Sequence, residues 1–98
     1  MLNNNTESVG LLIKAILNLQ TEEECRNFLD DILTINELRE ISQRLKVAIL
    51  LSEGNNYQTV CEQTRVSTAT ITRVNKCLMY GSGGYTTAIE RLKAEEKS

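Results

Sequence analysis

The chain of 98 residues contains no histidine, no proline and no tryptophan, and only 4% of its residues are aromatic. The absence of histidine excludes Ser-His-Asp triads and metal sites that use histidine ligands. The absence of proline leaves helices free of the residue that most often breaks them. No convergent set of acid, base and nucleophile is visible, so the sequence predicts neither an enzyme, a cofactor nor a metal site.

Long apolar segments are also missing. No run of about 18 apolar residues occurs, so no membrane-spanning helix is predicted. The first ten residues, MLNNNTESVG, lack the basic start and apolar block of a secretory signal. The three cysteines, Cys25, Cys61 and Cys77, lack the paired spacing of a metal site. These features favour a reduced, cytoplasmic compartment.

The charge is unevenly distributed. The net charge is -2 and the pI about 5.1, which argues against a nonspecific polyanion binder. Residues 1–35 hold two basic residues against six acidic ones, whereas residues 36–76 hold six basic against four acidic. A locally basic region can attract phosphate even when the whole chain is acidic.

Apolar residues recur at helical spacing along the whole chain, which predicts an all-α fold in one domain, residues 1–98. Thr21 with Glu24 and Thr34 with Glu37 match the capping box, in which a hydroxyl and a glutamate three residues later begin a helix. Gly54 or a neighbouring asparagine is expected to end the third helix. The predicted helices cover about residues 7–19, 22–32, 35–52, 57–64, 68–80 and 85–93.

Residues 57–80 have the pattern of a helix-turn-helix. A short helix is followed by a turn at Arg65 and Val66, and Ser67 is a favourable N-cap for the next helix. Arg65 occupies a turn position where glycine is common, so we expect a strained backbone or a different turn. On the second helix, one face is apolar and is expected to pack inward, with Ile71, Val74 and Leu78.

The opposite face of that helix is small and polar, with Thr68, Ala69, Thr72, Arg73, Asn75 and Lys76. Hydroxyls and cations suit phosphates and base edges, and a methyl group can meet thymine. The alternative is an ordinary solvated helix start. The predicted DNA-binding residues are Gln58, Arg65, Ser67, Thr68, Ala69, Thr70, Thr72, Arg73 and Lys76.

Three segments, ILT at 32–34, ELREISQRL at 37–45 and TATITR at 68–73, resemble the Trp repressor family, and within it the YerC/YecD-type branch. The resemblance implies a six-helix, intertwined homodimer. Residues 1–53 would form the dimerisation core, 57–80 the helix-turn-helix and 85–93 a C-terminal helix. Trp repressor is itself one of the proteins that define this mode of docking on DNA.

The resemblance also implies a small-molecule effector site. Arg44 and Arg73 match the arginines that flank the family's ligand ring, and Thr34 matches a threonine that meets its carboxylate across the dimer. Val74 and Cys77 depart from the family's glycine and serine, so an effector other than tryptophan is expected, with Thr34, Arg44, Arg73 and Cys77 as its site. Alternatively, Arg44 pairs with Glu40 or Asp31 and Arg73 holds a phosphate.

The sequence therefore predicts a sequence-specific DNA-binding transcription regulator, a repressor acting as a homodimer on a palindromic operator in double-stranded DNA. The alternative is a helical, dimeric interaction module without operator binding. The acidic pI favours that alternative, and the basic helix-turn-helix disfavours it.

Overall fold

A computed structural model describes the backbone of residues 2–97 and the side chains of residues 6–97. That part of the chain forms six α-helices and no strand, which confirms the predicted all-α class. The second to fifth helices match their predicted bounds, whereas the first begins and ends earlier and the last extends further. The helices are α1 (Leu2–Leu17), α2 (Glu22–Ile32), α3 (Ile35–Ser52), α4 (Tyr57–Thr64), α5 (Thr68–Tyr80) and α6 (Gly84–Glu96).

The predicted capping residues begin α2 and α3. At α3 the exchange is reciprocal: the Glu37 N–H donates to Thr34 Oγ1 at 3.1 Å, and the Thr34 N–H donates to Glu37 Oε1 at 2.8 Å. At α2 the Glu24 N–H donates to Thr21 Oγ1 at 3.1 Å, but the Glu24 carboxylate accepts from Gln20, one residue before the cap. Both helices therefore start where local sequence places a hydroxyl acceptor.

The end of α3 is fixed by a glycine, as predicted. Gly54 has φ 90°, and its N–H donates to the Leu51 carbonyl at 3.0 Å. The Asn55 N–H donates to the Leu50 carbonyl at 3.2 Å, and the Asn55 side-chain amide donates to the same oxygen at 2.9 Å. This pair of backbone bonds is the Schellman motif, which satisfies carbonyls that the helix end leaves open.

The chain divides into two compact units, one up to Leu38 and one from Arg39 onward, with the boundary inside α3. The second unit has an aliphatic core to which α3, α4, α5 and α6 all contribute. Cys61, Val66, Leu78 and Tyr85 are among the half-buried residues packed against this core. Its buried members are Val47, Ala48, Leu50, Val60, Ile71, Val74 and Ile89.

The first unit has no such core, since none of the described side chains before Arg39 is buried. Among the described residues of α1, six large apolar side chains are between 39% and 76% exposed: Val9, Leu11, Leu12, Ile13, Ile16 and Leu17. The apolar residues of α3 are buried only in the second half of the helix, at Val47, Ala48 and Leu50, whereas Ile41 remains 48% exposed.

Residues 2–97 contain neither a membrane-spanning helix nor a cluster of metal-binding side chains. None of the helices there is both long enough and apolar enough to cross a bilayer. No group of three or more cysteine or carboxylate side chains in that part of the chain could hold a metal ion.

Candidate nucleic-acid interface

The helix-turn-helix begins at Asn56, whose Oδ1 accepts from the Thr59 N–H at 2.9 Å and caps α4. α4 ends at Arg65, which has φ 60° and ψ 20° and donates its N–H to the Cys61 carbonyl at 2.8 Å. The turn therefore does use a left-handed residue, and an arginine adopts that conformation. A side chain there costs of order 1 kcal/mol relative to glycine.

Two side chains of α4 bind the backbone of the turn. The Cys61 thiol donates to the Val66 carbonyl at 3.2 Å. The Thr64 hydroxyl donates to the Val60 carbonyl at 2.7 Å and accepts from the Val66 N–H at 3.4 Å. Both polar groups of the Val66 backbone therefore have partners on α4. The sequence did not indicate this role of Cys61, because no local pattern reveals a bond across the turn.

α5 starts at its predicted cap. The Ser67 Oγ accepts from the Thr70 N–H at 3.2 Å and lies 3.1 Å from the Thr70 hydroxyl. Thr70 is half-buried and Ser67 is exposed. Of the predicted DNA-binding residues, these two are already engaged with each other at the helix start.

The two faces of α5 are arranged largely as predicted. Ile71 and Val74 are buried and Leu78 is half-buried, while the opposite face exposes Thr68, Ala69, Thr72, Arg73 and Lys76. Asn75 is an exception. It was expected on the exposed face, but it is half-buried and its side-chain amide lies 3.7 Å from the Met79 sulfur. Asn75 is one turn after Ile71, so it lies at the edge of the apolar face.

The remaining predicted contact residues, Gln58 and Arg65, are exposed. Among the side chains of residues 6–97 the one ion pair is Arg26–Glu22, so Arg65, Arg73 and Lys76 have no carboxylate partner there. From residue 57 to residue 80, three basic residues stand against one acidic residue. The exposed face of α5 is therefore polar, locally cationic and open to a ligand.

Three of the four predicted effector residues line one cavity. Arg44, Arg73 and Cys77 surround a space of about 220 Å³ in the second unit, together with Thr70, Val74 and Tyr85. Arg44 does not pair with Glu40, which was one alternative for its role. The fourth residue, Thr34, belongs to the first unit, where its hydroxyl caps α3.

A larger open cavity of about 580 Å³ lies beside α6, and it shares Arg44, Cys77 and Tyr85 with the first cavity. Its other lining residues are mostly small or apolar: Ile41, Leu45, Gly81, Ser82, Gly84 and Ala88. Sequence reasoning missed Tyr85 as a residue of this region. Helical periodicity placed Tyr85 at the start of the last predicted helix. It does not indicate which other helix a residue of that helix contacts.

Comparison with known proteins gives a consistent result. The family model described as "Trp repressor protein" matches residues 7–93. The Uncharacterized protein YerC of Bacillus subtilis (strain 168) is 48% identical over 85 residues, which is 87% of this chain and 82% of that protein.

Two solved structures are also similar. A TrpR-like protein from Eubacterium eligens ATCC 27750 superposes with a TM-score of 0.85 at 45% identity, covering 89% of this chain and 90% of that one. A candidate Trp repressor from Staphylococcus aureus superposes with a TM-score of 0.84 at 40% identity, covering 89% and 87%. With a helix-turn-helix in the matched region and this agreement over most of its length, the chain belongs to the Trp repressor family, a family of regulatory DNA-binding proteins.

Proposed function

We propose that the protein is a sequence-specific transcription repressor that binds a palindromic operator as a homodimer. The observation that carries the proposal is the first part of α5. There Thr68, Ala69 and Thr72 are exposed, next to cations that form no ion pair within residues 6–97. Such an end fits the major groove, where the recognition helix of a helix-turn-helix meets base edges.

Each exposed group suits a particular part of a DNA duplex. The hydroxyls of Thr68 and Thr72 suit base edges or phosphates, and Ala69 suits a thymine methyl group. Arg65, Arg73 and Lys76 would bind phosphates and fix the register of the helix. Gln58, near the start of α4, and Ser67, at the start of α5, would bind the backbone of the duplex.

The charge distribution supports this orientation. The second unit carries nine basic residues against six acidic ones, whereas the first carries two against seven. A duplex is attracted by the unit that holds α5 and repelled by the unit that holds α1 and α2. The overall acidity of the chain therefore does not oppose DNA binding at α5.

The exposed apolar surface of the first unit supports a homodimer. Six large apolar side chains of α1 stay exposed, and the unit has no buried residue among those described. Apolar surface of this extent is normally covered by a partner, and oligomerisation is a common way to enlarge a small core. Interlocking the first halves of two chains would supply that cover.

In such a dimer two copies of α5 would meet successive major grooves about 34 Å apart. An operator with two-fold symmetry follows from this arrangement, since each copy reads the same half-site. Occupying the operator would exclude polymerase and repress transcription.

The cavity beside Arg44, Arg73 and Cys77 supports a small-molecule effector, with Thr34 supplied by the partner subunit as the resemblance implies. The effector would be an anion, because two guanidinium groups line the space and no carboxylate does. Val74 is only 2% exposed and its branched side chain fills space that a flat ring would need. We therefore propose that tryptophan is not the effector.

The second candidate is a helical, dimeric interaction module without operator binding. The observation that favours it is the left-handed Arg65, because the turn of a DNA-binding helix-turn-helix often contains glycine, which takes this conformation without strain. Arg65 also places a cation at the turn, where it could meet a phosphate. The same residue therefore also favours DNA binding.

The test is selection of duplexes from a random-sequence pool by the wild-type protein, followed by titration of the selected duplex. Replacing Thr68, Thr72 and Lys76 together by alanine should weaken binding by about tenfold or more, since base and phosphate contacts are lost. The matched control replaces the same residue types at exposed positions of α6: Thr86, Thr87 and Lys93. It should bind like wild type.

The salt dependence separates the two candidates. If phosphates are contacted, log affinity falls linearly with log salt, with a slope of about 0.9 for each phosphate neutralised. A protein that selects no duplex, or a triple variant that binds as well as wild type, would favour the interaction module.

A further inference from the structure

We infer that Cys61 and Thr64 are positioning residues, which fix the start of α5 in the direction needed to meet DNA. The inference rests on the proposed function and deepens it, because neither side chain belongs to the surface proposed to contact the duplex. Both lie on α4 and are half-buried.

The geometry of the connection supports this role. Only three residues, Arg65, Val66 and Ser67, join α4 to α5. The Val66 carbonyl accepts from the Cys61 thiol at 3.2 Å, and the Val66 N–H donates to the Thr64 hydroxyl at 3.4 Å. The Arg65 N–H is bound to the Cys61 carbonyl, and the Ser67 carbonyl accepts from Ile71. The Arg65 N–H and the Ser67 carbonyl thus have backbone partners, whereas the N–H and carbonyl of Val66 form hydrogen bonds with side chains only.

These bonds hold the backbone of the turn, whose Val66 side chain also packs against the core. The core holds α5 through Ile71 and Val74, which follow Thr68 and Ala69 along the helix. Thr68 and Ala69 therefore depend on the preceding turn for their placement. Thr68 lies three residues before Ile71, about 4.5 Å at 1.5 Å per residue, so a tilt of about 20° about Ile71 moves Thr68 by about 1.5 Å. That displacement exceeds the range over which a hydrogen bond to a base is kept.

The competing explanation is that Cys61 and Thr64 only fill space, since Cys61 also packs against the core. The two roles differ in what a substitution must preserve. A packing role depends on volume, whereas a positioning role depends on the donor or hydroxyl. Thr64→Val keeps the branched shape and removes the hydroxyl, while Thr64→Ser keeps the hydroxyl and removes a methyl group. Cys61→Ala and Cys61→Ser form the corresponding pair.

The experiment measures three quantities for each of the four variants. They are the affinity for a duplex that the wild type selects from a random pool, the affinity for a scrambled duplex of equal length, and the thermal unfolding midpoint. We expect Thr64→Val and Cys61→Ala to lose about three- to tenfold in affinity for the selected duplex, the equivalent of one hydrogen bond. Their affinity for the scrambled duplex should not change, because phosphate attraction does not need an exact helix direction.

The serine variants should stay within about twofold of wild type on the selected duplex, whatever their unfolding midpoints. Amide hydrogen exchange at Val66, Ser67 and Thr68, measured without DNA, should be faster in Thr64→Val than in Thr64→Ser. This readout reports the turn independently of any duplex.

The inference alone would be overturned by a wild type that selects a duplex while Thr64→Val and Cys61→Ala bind it equally well, or by serine variants that lose as much affinity as the others. A wild type that selects no duplex would refute the proposed function, and the positioning role with it. Unchanged amide exchange in Thr64→Val would show that the Val66 backbone does not depend on the hydroxyl, which also contradicts the inference.

Discussion

The backbone N–H of Arg65 donates to the carbonyl oxygen of Cys61 at 2.8 Å, and this bond closes α4 with Arg65 in the left-handed conformation. Glycine would take the same φ of 60° without a steric cost. Arg65 is also exposed and forms no ion pair within residues 6–97. The position therefore combines a backbone that favours glycine with a free cation beside the start of α5.

Replacing Arg65 by glycine should separate these two properties. We expect Arg65→Gly to raise the free energy of unfolding by about 0.5–1 kcal/mol, because the strain is relieved. We also expect weaker DNA binding, with the salt slope reduced by about 1, because one phosphate contact is lost. Urea unfolding and a salt series of DNA titrations measure the two effects.

Arg65→Lys is the control, since it keeps the charge and the strain. It should have wild-type stability and a wild-type salt slope. If Arg65→Gly bound DNA with an unchanged slope, Arg65 would not contact a phosphate.

The reciprocal cap of α3 gives a prediction for stability. Thr34→Val keeps the shape of the side chain and removes the hydroxyl that accepts from the Glu37 N–H. Loss of an N-cap hydroxyl should lower the free energy of unfolding by about 1 kcal/mol. Thr86→Val, at an exposed position inside α6, is the matched control and should change it little. Equal losses in the two variants would show that the cap does not stabilise α3.

The caps show which part of this structure follows from sequence. A capping box depends on residues three apart, so Thr21 and Thr34 could be recognised without knowledge of the fold. The same holds for Gly54, whose left-handed conformation follows from the local helix end. The starts of α2, α3 and α5 and the end of α3 were predictable for this reason.

Tertiary neighbours were not predictable in the same way. Periodicity predicted that residues 35–52 form a helix, but it did not indicate that Ile41 stays exposed while Val47 is buried. It also put Asn75 on the open face of α5, although a residue at the edge of an apolar face can lie on either side. The bond from Cys61 to Val66 and the place of Tyr85 beside Arg44 depend on how helices meet, which no single segment encodes.

Gly81 gives a third prediction. It ends α5, and its N–H donates to the Cys77 carbonyl at 2.8 Å. A Cβ at Gly81 would overlap that same carbonyl oxygen, whereas a Cβ at Gly84 would meet no atom within 4 Å. Gly81→Ala should therefore lower the free energy of unfolding by roughly 1–3 kcal/mol.

Gly84→Ala is the control for Gly81→Ala, and it should be neutral or slightly stabilising because alanine is the better helix former. Denaturant unfolding compares the two. A Gly81→Ala variant as stable as Gly84→Ala would mean that the α5 terminus adjusts without cost.

The uncovered face of α1 gives a prediction for assembly. Leu12→Glu with Ile16→Glu places two charges on apolar positions that are 39% and 47% exposed in the isolated chain. If a second copy covers this face, the double variant should lose the dimer, because burying unpaired carboxylates costs several kcal/mol. Size-exclusion chromatography with light scattering measures the mass of each species.

Lys14→Glu is the control for this double variant. It changes the net charge of the chain by the same amount as the double variant does, but it lies on the polar side of α1. The Lys14→Glu variant should therefore remain dimeric. A wild-type protein that is a well-folded monomer at low micromolar concentration would contradict the interlocked arrangement. So would a double variant that keeps the dimer mass.

The last prediction concerns the proposed effector and depends on the size of the Val74 side chain. The cavity of about 220 Å³ beside Arg44 and Arg73 is bounded by Val74, whose side chain is almost completely buried. A bulky, branched side chain in a packed core does not yield to a large ring without a cost of about 1–3 kcal/mol. We therefore expect calorimetric titration with L-tryptophan to give no saturable heat, and DNA affinity to be the same with and without it. Tight tryptophan binding would show that the Val74 side chain can move aside. It would also show that valine, in place of the family's glycine at this position, does not exclude tryptophan as the effector.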